Sequence, residues 1–315
     1  MRVEPDRRER WQTRAMIGAA AIATVGLAAV GYAYAIEPRR LQVARFRLGV
    51  ENLPASLEGV RIAHLTDFHV GMPATRRSTL RRAVAAVLAE RPNLVALTGD
   101  FVDDGVWRPG ATLFTALAAA APTFAVLGNH DRDAGPAATG RIVAALRDQG
   151  VRVLGNEHVV VPVRGGAGEI AIVAVDDPSS GRDDLGAALA GLPQSGARPA
   201  VLLGHAPDIV EQAPPGRFAL TLAGHTHGGQ LRFSPFKRFT PLELPMIAAD
   251  LESAYPRGVH VVRENPLFVN NGLGVSGVPF RFLAPPQVAV FTLARGVDAE
   301  KDSGDPARYV RRFET

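Results

Sequence analysis

Five short polar motifs punctuate this chain, and each follows an apolar run of strand length. Asp67-Phe68-His69 follows Val60–Thr66, Gly99-Asp100 follows Leu94–Thr98, and Gly128-Asn129-His130-Asp131 follows Thr123–Leu127. Gly204-His205 follows Ala200–Leu203, and Gly224-His225-Thr226-His227 follows Leu220–Ala223. Short aliphatic runs of this kind read as buried strands. In an α/β sheet the residues just past the carboxyl ends of the strands line one edge, over a rigid base. The pattern therefore predicts an α/β fold that gathers four histidines, two carboxylates and an amide at one place, with His130 as a further imidazole.

Oxygen and imidazole donors suit a pair of divalent transition metals, and paired metals hydrolyse phosphoesters. Asp67 and His69 are spaced by two, so a chain leaving a strand can aim both at one ion. Asp100 has two carboxylate oxygens for two ions, and Asn129 offers a neutral carbonyl oxygen. His225 and His227 flank a single threonine in a tight loop. The chain has no cysteine. Thiolate zinc sites, Cys-ligated iron–sulfur clusters and cysteine-nucleophile phosphatases are excluded.

Residues 15–36 (AMIGAAAIATVGLAAVGYAYAI) carry no charge. As a helix they span about 30 Å, the thickness of a hydrocarbon core. A signal anchor fits this length. A cleaved signal peptide fits Ala33-Tyr34-Ala35, and a buried helix is the remaining alternative. The basic segment 1–14 has net charge +2 and the juxtamembrane linker 37–47 has +3. With a total of +4, residues 48–315 sum to −1. The basicity thus flanks the apolar span, where anionic headgroups would meet it. The near-neutral body disfavours nucleic acid as a partner, because tracking phosphates needs a basic surface. Five arginines precede the span and four follow it, which tilts orientation slightly toward an inside N-terminus and an extracytoplasmic domain.

Residues 48–295 read as one globular domain and 296–315 as a loose tail. Arg77–Arg91 and Ala137–Gln149 read as helices. Val159–Val163 and Glu169–Val175 read as a hairpin. Val259–Val262, Leu267–Asn270 and Gln287–Leu293 read as late strands. His64 falls inside the first strand, a core or supporting position. His158 and His260 read as ordinary surface or strand histidines.

The ordered motifs resemble the calcineurin-like metallophosphoesterase superfamily, whose pattern runs D-x-H, G-D, G-N-H-[DE], H, G-H-x-H. The match spans residues 59–293. Residues 121–131 and Gly224-His-Thr-His-Gly-Gly-Gln230 resemble its membrane-linked bacterial phosphodiesterase branch. The resemblance implies a four-layer αββα sandwich preceded by one transmembrane helix. It implies one metal on Asp67, His69 and His227, another on Asn129, His205 and His225, and Asp100 bridging. His130 would sit over the reacting phosphate, with Asp131 supporting His130 or its loop. Purple acid phosphatases of this superfamily place a tyrosine ligand three residues after the bridging aspartate. Here that position is Asp103, so Mn²⁺, Fe²⁺ or Zn²⁺ is expected rather than a charge-transfer iron site. Asp103 itself reads as a surface or supporting residue. Related proteins bring the late loop near the site, which makes Arg281 a candidate for substrate phosphate, against a plain surface arginine.

Two such ions, two carboxylates and a bridging hydroxide leave net positive charge for an anionic phosphoester. Metal-bound water has a pKa near 7, so the nucleophile needs no side-chain base. The reading is a membrane-tethered phosphodiesterase or pyrophosphatase. An amphiphilic phosphoester suits a tethered site; hydrolysis of UDP-2,3-diacylglucosamine in lipid A synthesis, an activity of this superfamily, requires a cytoplasm-facing one. The rival readings are a nuclease of the same fold and a non-catalytic metal-binding scaffold.

Overall fold

The structure, a computed structural model, describes residues 7–104, 106–107, 112–163, 168–193, 198–232, 254–296 and 310–313. Strands β1 (Gln42–Val50), β2 (Arg61–Leu65), β3 (Leu94–Thr98), β4 (Thr123–Val126), β5 (Arg152–Val153), β12 (Gln287–Arg295) and β13 (Val310–Phe313) form one sheet. Its order is β13-β1-β12-β2-β3-β4-β5. The second sheet contains β6 (Glu157–Pro162), β7 (Glu169–Ala174), β8 (Ala200–Leu203), β9 (Leu220–Ala223), β10 (Gly258–Val262) and β11 (Asn265–Val269). Its order is β10-β11-β9-β8-β7-β6. Strands β2, β3 and β4 run parallel, as do β7, β8, β9 and β11.

Alternation of side chains along the strands builds the layers. Ile62, Leu94, Ala96 and Phe124 of the first sheet pack against Ile172, Val201, Leu203, Leu222 and Phe268 of the second. The opposite face of the first sheet, with Ala63, Leu65, Val95 and Leu97, is covered by three helices. These are α2 (Arg77–Ala89), α3 (Thr115–Ala120) and α4 (Pro136–Asp148), presenting among others Leu80, Val87, Leu117, Ile142 and Leu146. The outer face of the second sheet, with Val173 and Leu202, is covered by α5 (Leu185–Leu189) and the short turn at Pro207–Gln212. The result is the expected sandwich: helices, sheet, sheet, helix.

Helix α1 spans Arg7–Ala35, so it starts within the basic segment. Among the described residues it is the one helix long and apolar enough to cross a membrane, and no residue of its apolar window is buried. The segment 37–47 is not a plain linker. Strand β1 takes up Gln42 onward and pairs in parallel with β12 along its whole length. Its alternating Ala44, Phe46, Leu48 and Val50 are buried, while Arg45 and Arg47 face outward, Arg45 bonding Glu90. The segment read as a loose tail contributes β13, antiparallel to β1; residues 297–309 lie outside the described residues.

Candidate metal centre

The five motifs meet at the carboxyl ends of β2, β3, β4, β8 and β9. Five residues there have left-handed backbone: Asp67 (φ 52°), His69 (41°), Asp100 (52°), His225 (71°) and His227 (51°). Non-glycine residues seldom adopt that region, and it costs on the order of 1–2 kcal/mol each. Turning so sharply off the strands aims side chains back over the sheet edge. Glycines admit the close approaches this requires. A Cβ on Gly128 would overlap the Asp100 carboxylate, and one on Gly224 would overlap Thr66 and Asp67.

Two sets of donors result. In the first, His69 Nε2 lies 3.0 Å from His227 Nε2 and 3.4 Å from Asp100 Oδ2, and His227 Nε2 lies 3.5 Å from Asp67 Oδ1. In the second, Asn129 Oδ1 lies 3.2 Å from both His205 Nε2 and His225 Nδ1. Those two ring nitrogens are 3.2 Å apart, and His205 Nε2 is 3.2 Å from Asp100 Oδ2. One oxygen, Asp100 Oδ2, therefore faces both sets. Its partner Oδ1 accepts the His130 amide at 3.1 Å.

The donor set fits divalent metal. Bonds of about 2.1 Å give a coordination polyhedron edges of about 3.0–3.4 Å, matching these spacings. Backbone and carboxylate partners hold two of the rings in the ligating tautomer. His205 Nδ1 donates to Thr98 O at 2.7 Å, which can only accept, so its Nε2 lone pair faces inward. His69 Nδ1 donates likewise to Asp103 Oδ1 at 3.0 Å. Asp67 is fixed by the His225 amide at 3.0 Å. Charge points the same way. Burial alone would raise Asp100, but His205 and His69 hold its carboxyl below the usual range. Burial would lower His205, yet Asp100 and Asp67 draw a proton onto it. The site thus demands positive charge, which a cation satisfies without protons. Burial and the charge of His205 push His225 down to about 4, leaving a neutral ligand.

Asp131 is fully buried. Its Oδ1 accepts from Phe101 N (2.8 Å) and Val102 N (3.3 Å), and its Oδ2 from Gly128 N (3.0 Å). It ties the loop after β3 to the loop after β4, which carries His130. Arg281 is also fully buried, and its guanidinium is occupied by protein. It donates to Gly274 O, Ala284 O and Asn271 O at 2.7, 2.7 and 2.8 Å, and Nη2 lies 3.3 Å from His227 Nδ1. It stands behind His227 and offers substrate nothing. Burial, then His69 and Arg281, keep His227 neutral.

His130 sits at the rim with its side chain 28% exposed. Its ring centroid is 5.0 Å from that of His69, and its Nδ1 faces Asp103 O and the Asp133 carboxylate. Its Nε2 faces Ser276 Oγ at 3.4 Å. Sequence reading left Asp103 open between surface and supporting roles and missed Ser276, Asn271 and Gln230. The glycine-rich run after β11 was the available signal for Asn271 and Ser276, and Gln230 closes the histidine motif itself. His64 is a core residue: it bonds Thr98 Oγ1 at 2.8 Å and takes no place among the donors. His158 and His260 bond backbone carbonyls away from the site.

Residues 60–229 match the family described as calcineurin-like phosphoesterase, more than half of the 315-residue chain, and the chain belongs to that family. It is 29% identical over 267 residues to the metallophosphoesterase YkuE of Bacillus subtilis (strain 168), covering 84% of this chain and 89% of the relative. To phosphodiesterase YaeI of Escherichia coli (strain K12) it is 30% identical over 269 residues, covering 84% and 92%. To a transmembrane protein with metallophosphoesterase domain of Danio rerio it is 32% identical over 289 residues, covering 87% and 62%. The chain is thus a metal-dependent hydrolase of phosphoesters, in the YkuE and YaeI branch.

Proposed function

We propose that this enzyme is a membrane-anchored phosphodiesterase or pyrophosphatase that uses two divalent ions, Mn²⁺, Fe²⁺ or Zn²⁺. Asp67, His69 and His227 would hold one, Asn129, His205 and His225 the other, with Asp100 between them. The observation that carries the reading is Asp100 Oδ2, 3.4 Å from His69 Nε2 and 3.2 Å from His205 Nε2. A single oxygen facing two complete donor sets suits a pair rather than one ion.

When bound, such a pair supplies Lewis acidity toward phosphoryl oxygens and lowers the pKa of water. The chain supplies the rest. His130 Nδ1 donates to Asp103 O, which leaves Nε2 facing Ser276 Oγ at the rim of the site. In the protonated ring that nitrogen would donate to the phosphoryl or leaving oxygen. Left-handed loops fix the donors before substrate arrives, so little reorganisation accompanies reaction. Helix α1 holds the domain at a bilayer, and the slight arginine bias favours an extracytoplasmic site. Envelope phosphodiesters follow from that orientation; nucleotide-linked lipids such as UDP-2,3-diacylglucosamine follow from the opposite one.

The test is hydrolysis of bis(4-nitrophenyl) phosphate by full-length protein, with bound metal counted. Two ions per chain and turnover abolished by chelator and restored by Mn²⁺ are expected. One ion per chain would overturn the dinuclear reading. Robust DNA cleavage would favour the nuclease, and a fully loaded but inactive protein the scaffold. A reporter fused after Thr315 fixes the side of the membrane.

A further inference from the structure

The foot of α1 is packed into the domain rather than joined to it by slack chain. Ala33 is buried near the foot of a mostly exposed helix, and its carbonyl accepts the Arg281 amide at 2.9 Å. Tyr32 and Tyr34 make edge contacts with Phe282 and Phe280, at 6.1 and 5.8 Å between ring centroids. Just beyond the helix Glu37 is buried, and Thr79 Oγ1 donates to Pro38 O at 3.2 Å.

The segment gripped by α1 also wraps the histidine loop. Phe282 N donates to Gln230 O at 2.9 Å, and Arg232 N to Phe282 O at 2.8 Å. Gln230 Nε2 donates back to Ser276 O and Val278 O. From the middle of this segment the Arg281 side chain runs inward to the Asn271, Gly274 and Ala284 carbonyls and to His227. One arginine thus touches the membrane helix with its backbone and a candidate ligand with its side chain. A simple tether would need none of these contacts.

We infer that the last turn of α1 is a wall of the metal centre, and that Arg281, tied by its side chain to the Asn271, Gly274 and Ala284 carbonyls, is a positioning residue through which the docked helix holds residues 280–282, and with them the histidine loop bonded at Gln230, in place behind His227; its Nη2 packs beside His227 Nδ1 without a hydrogen bond, because a ring ligating through Nε2 keeps its proton on Nδ1. This rests on the two-ion reading above. It makes the anchor a condition of metal binding at the Asp67–His69–His227 set, while the Asn129–His205–His225 set is built without it.

The test uses full-length protein in detergent with Ala33→Phe, which wedges the helix off residues 280–282 and keeps the span apolar. At a free Mn²⁺ concentration that just saturates wild type, the variant should retain one ion instead of two. Its half-saturating Mn²⁺ for the lost ion should rise at least tenfold. For bis(4-nitrophenyl) phosphate, kcat should fall at limiting Mn²⁺ with KM little changed, and excess Mn²⁺ should restore it. Arg281→Lys, which keeps the charge but cannot span three carbonyls, should behave alike. Should the wedge prevent folding, Phe280→Ala with Phe282→Ala removes two half-buried rings and should weaken the same ion about threefold or more. Two ions held with wild-type affinity by the folded docking variants would overturn the inference. A wild type that binds one ion or none would instead overturn the two-ion reading.

Discussion

The Oδ1 of Asp103 lies 3.0 Å from His69 Nδ1, and the carbonyl of the same residue lies 3.0 Å from His130 Nδ1. One residue therefore orients two imidazoles with different work, one by its side chain and one by its backbone. Only the first is open to mutation. Asp103→Ala should cost 10–100-fold in metal affinity, about the usual loss when a ligand's supporting carboxylate is removed. Asp103→Asn keeps an accepting oxygen and should cost less. Metal titration of both variants checks the order.

His130→Ala should separate binding from chemistry. The ring belongs to neither donor set, and its backbone amide, which bonds Asp100, survives the change. Metal content should stay at the wild-type level while kcat falls about 10²–10³-fold, as for removal of a group that stabilises transition-state charge. Equal loss of metal would assign His130 to the coordination sphere.

Gly128→Ala should do the opposite. The added methyl overlaps the Asp100 carboxylate and crowds its amide. Overpacking of this kind costs about 1–3 kcal/mol. Here it falls on the oxygen facing both donor sets, so metal and activity should vanish together. Thermal melting with and without Mn²⁺ should show that the variant no longer gains stability from the ion.

His64 gives a pH signature distinct from the metal centre. Burial pushes its imidazole down to about 3, against an ordinary value of 6.5. The unfolded chain therefore binds a proton that the folded one refuses. His64's contribution is fully present above pH 6.5 and is lost as pH falls toward 3. The slope is about 1.4 kcal/mol per pH unit. His64→Gln should remove this component. The stability difference between wild type and variant, from urea unfolding at pH 4.5, 5.5 and 7, should therefore shift against wild type as pH falls.

Strands such as Leu94–Thr98 were legible because unbroken aliphatic runs match burial on both faces, and the donors because each follows one. Strand β1 was hidden in plain alternation. Ala44, Phe46, Leu48 and Val50 have the period of a strand, but Arg45 and Arg47 beside an apolar span read as a lipid-facing linker. Arg281 misled for another reason. An arginine after a glycine-rich turn looks available to phosphate until the carbonyls of Asn271, Gly274 and Ala284 are seen closing on it. Backbone carbonyls leave no trace in a sequence, and neither does the left-handed turn that aims His69.

Strand β12 lies between β1 and β2, so the last long strand of the domain is inserted between its first two. Gln42 pairs with Gln287 and Val50 with Arg295. The sheet cannot close while residues 287–295 are still in the ribosome or a translocation channel. The apolar N-terminal segment thus emerges long before the domain can fold. Maturation is therefore ordered in time: the apolar helix is free first, and the domain folds only once nearly the whole chain has been delivered.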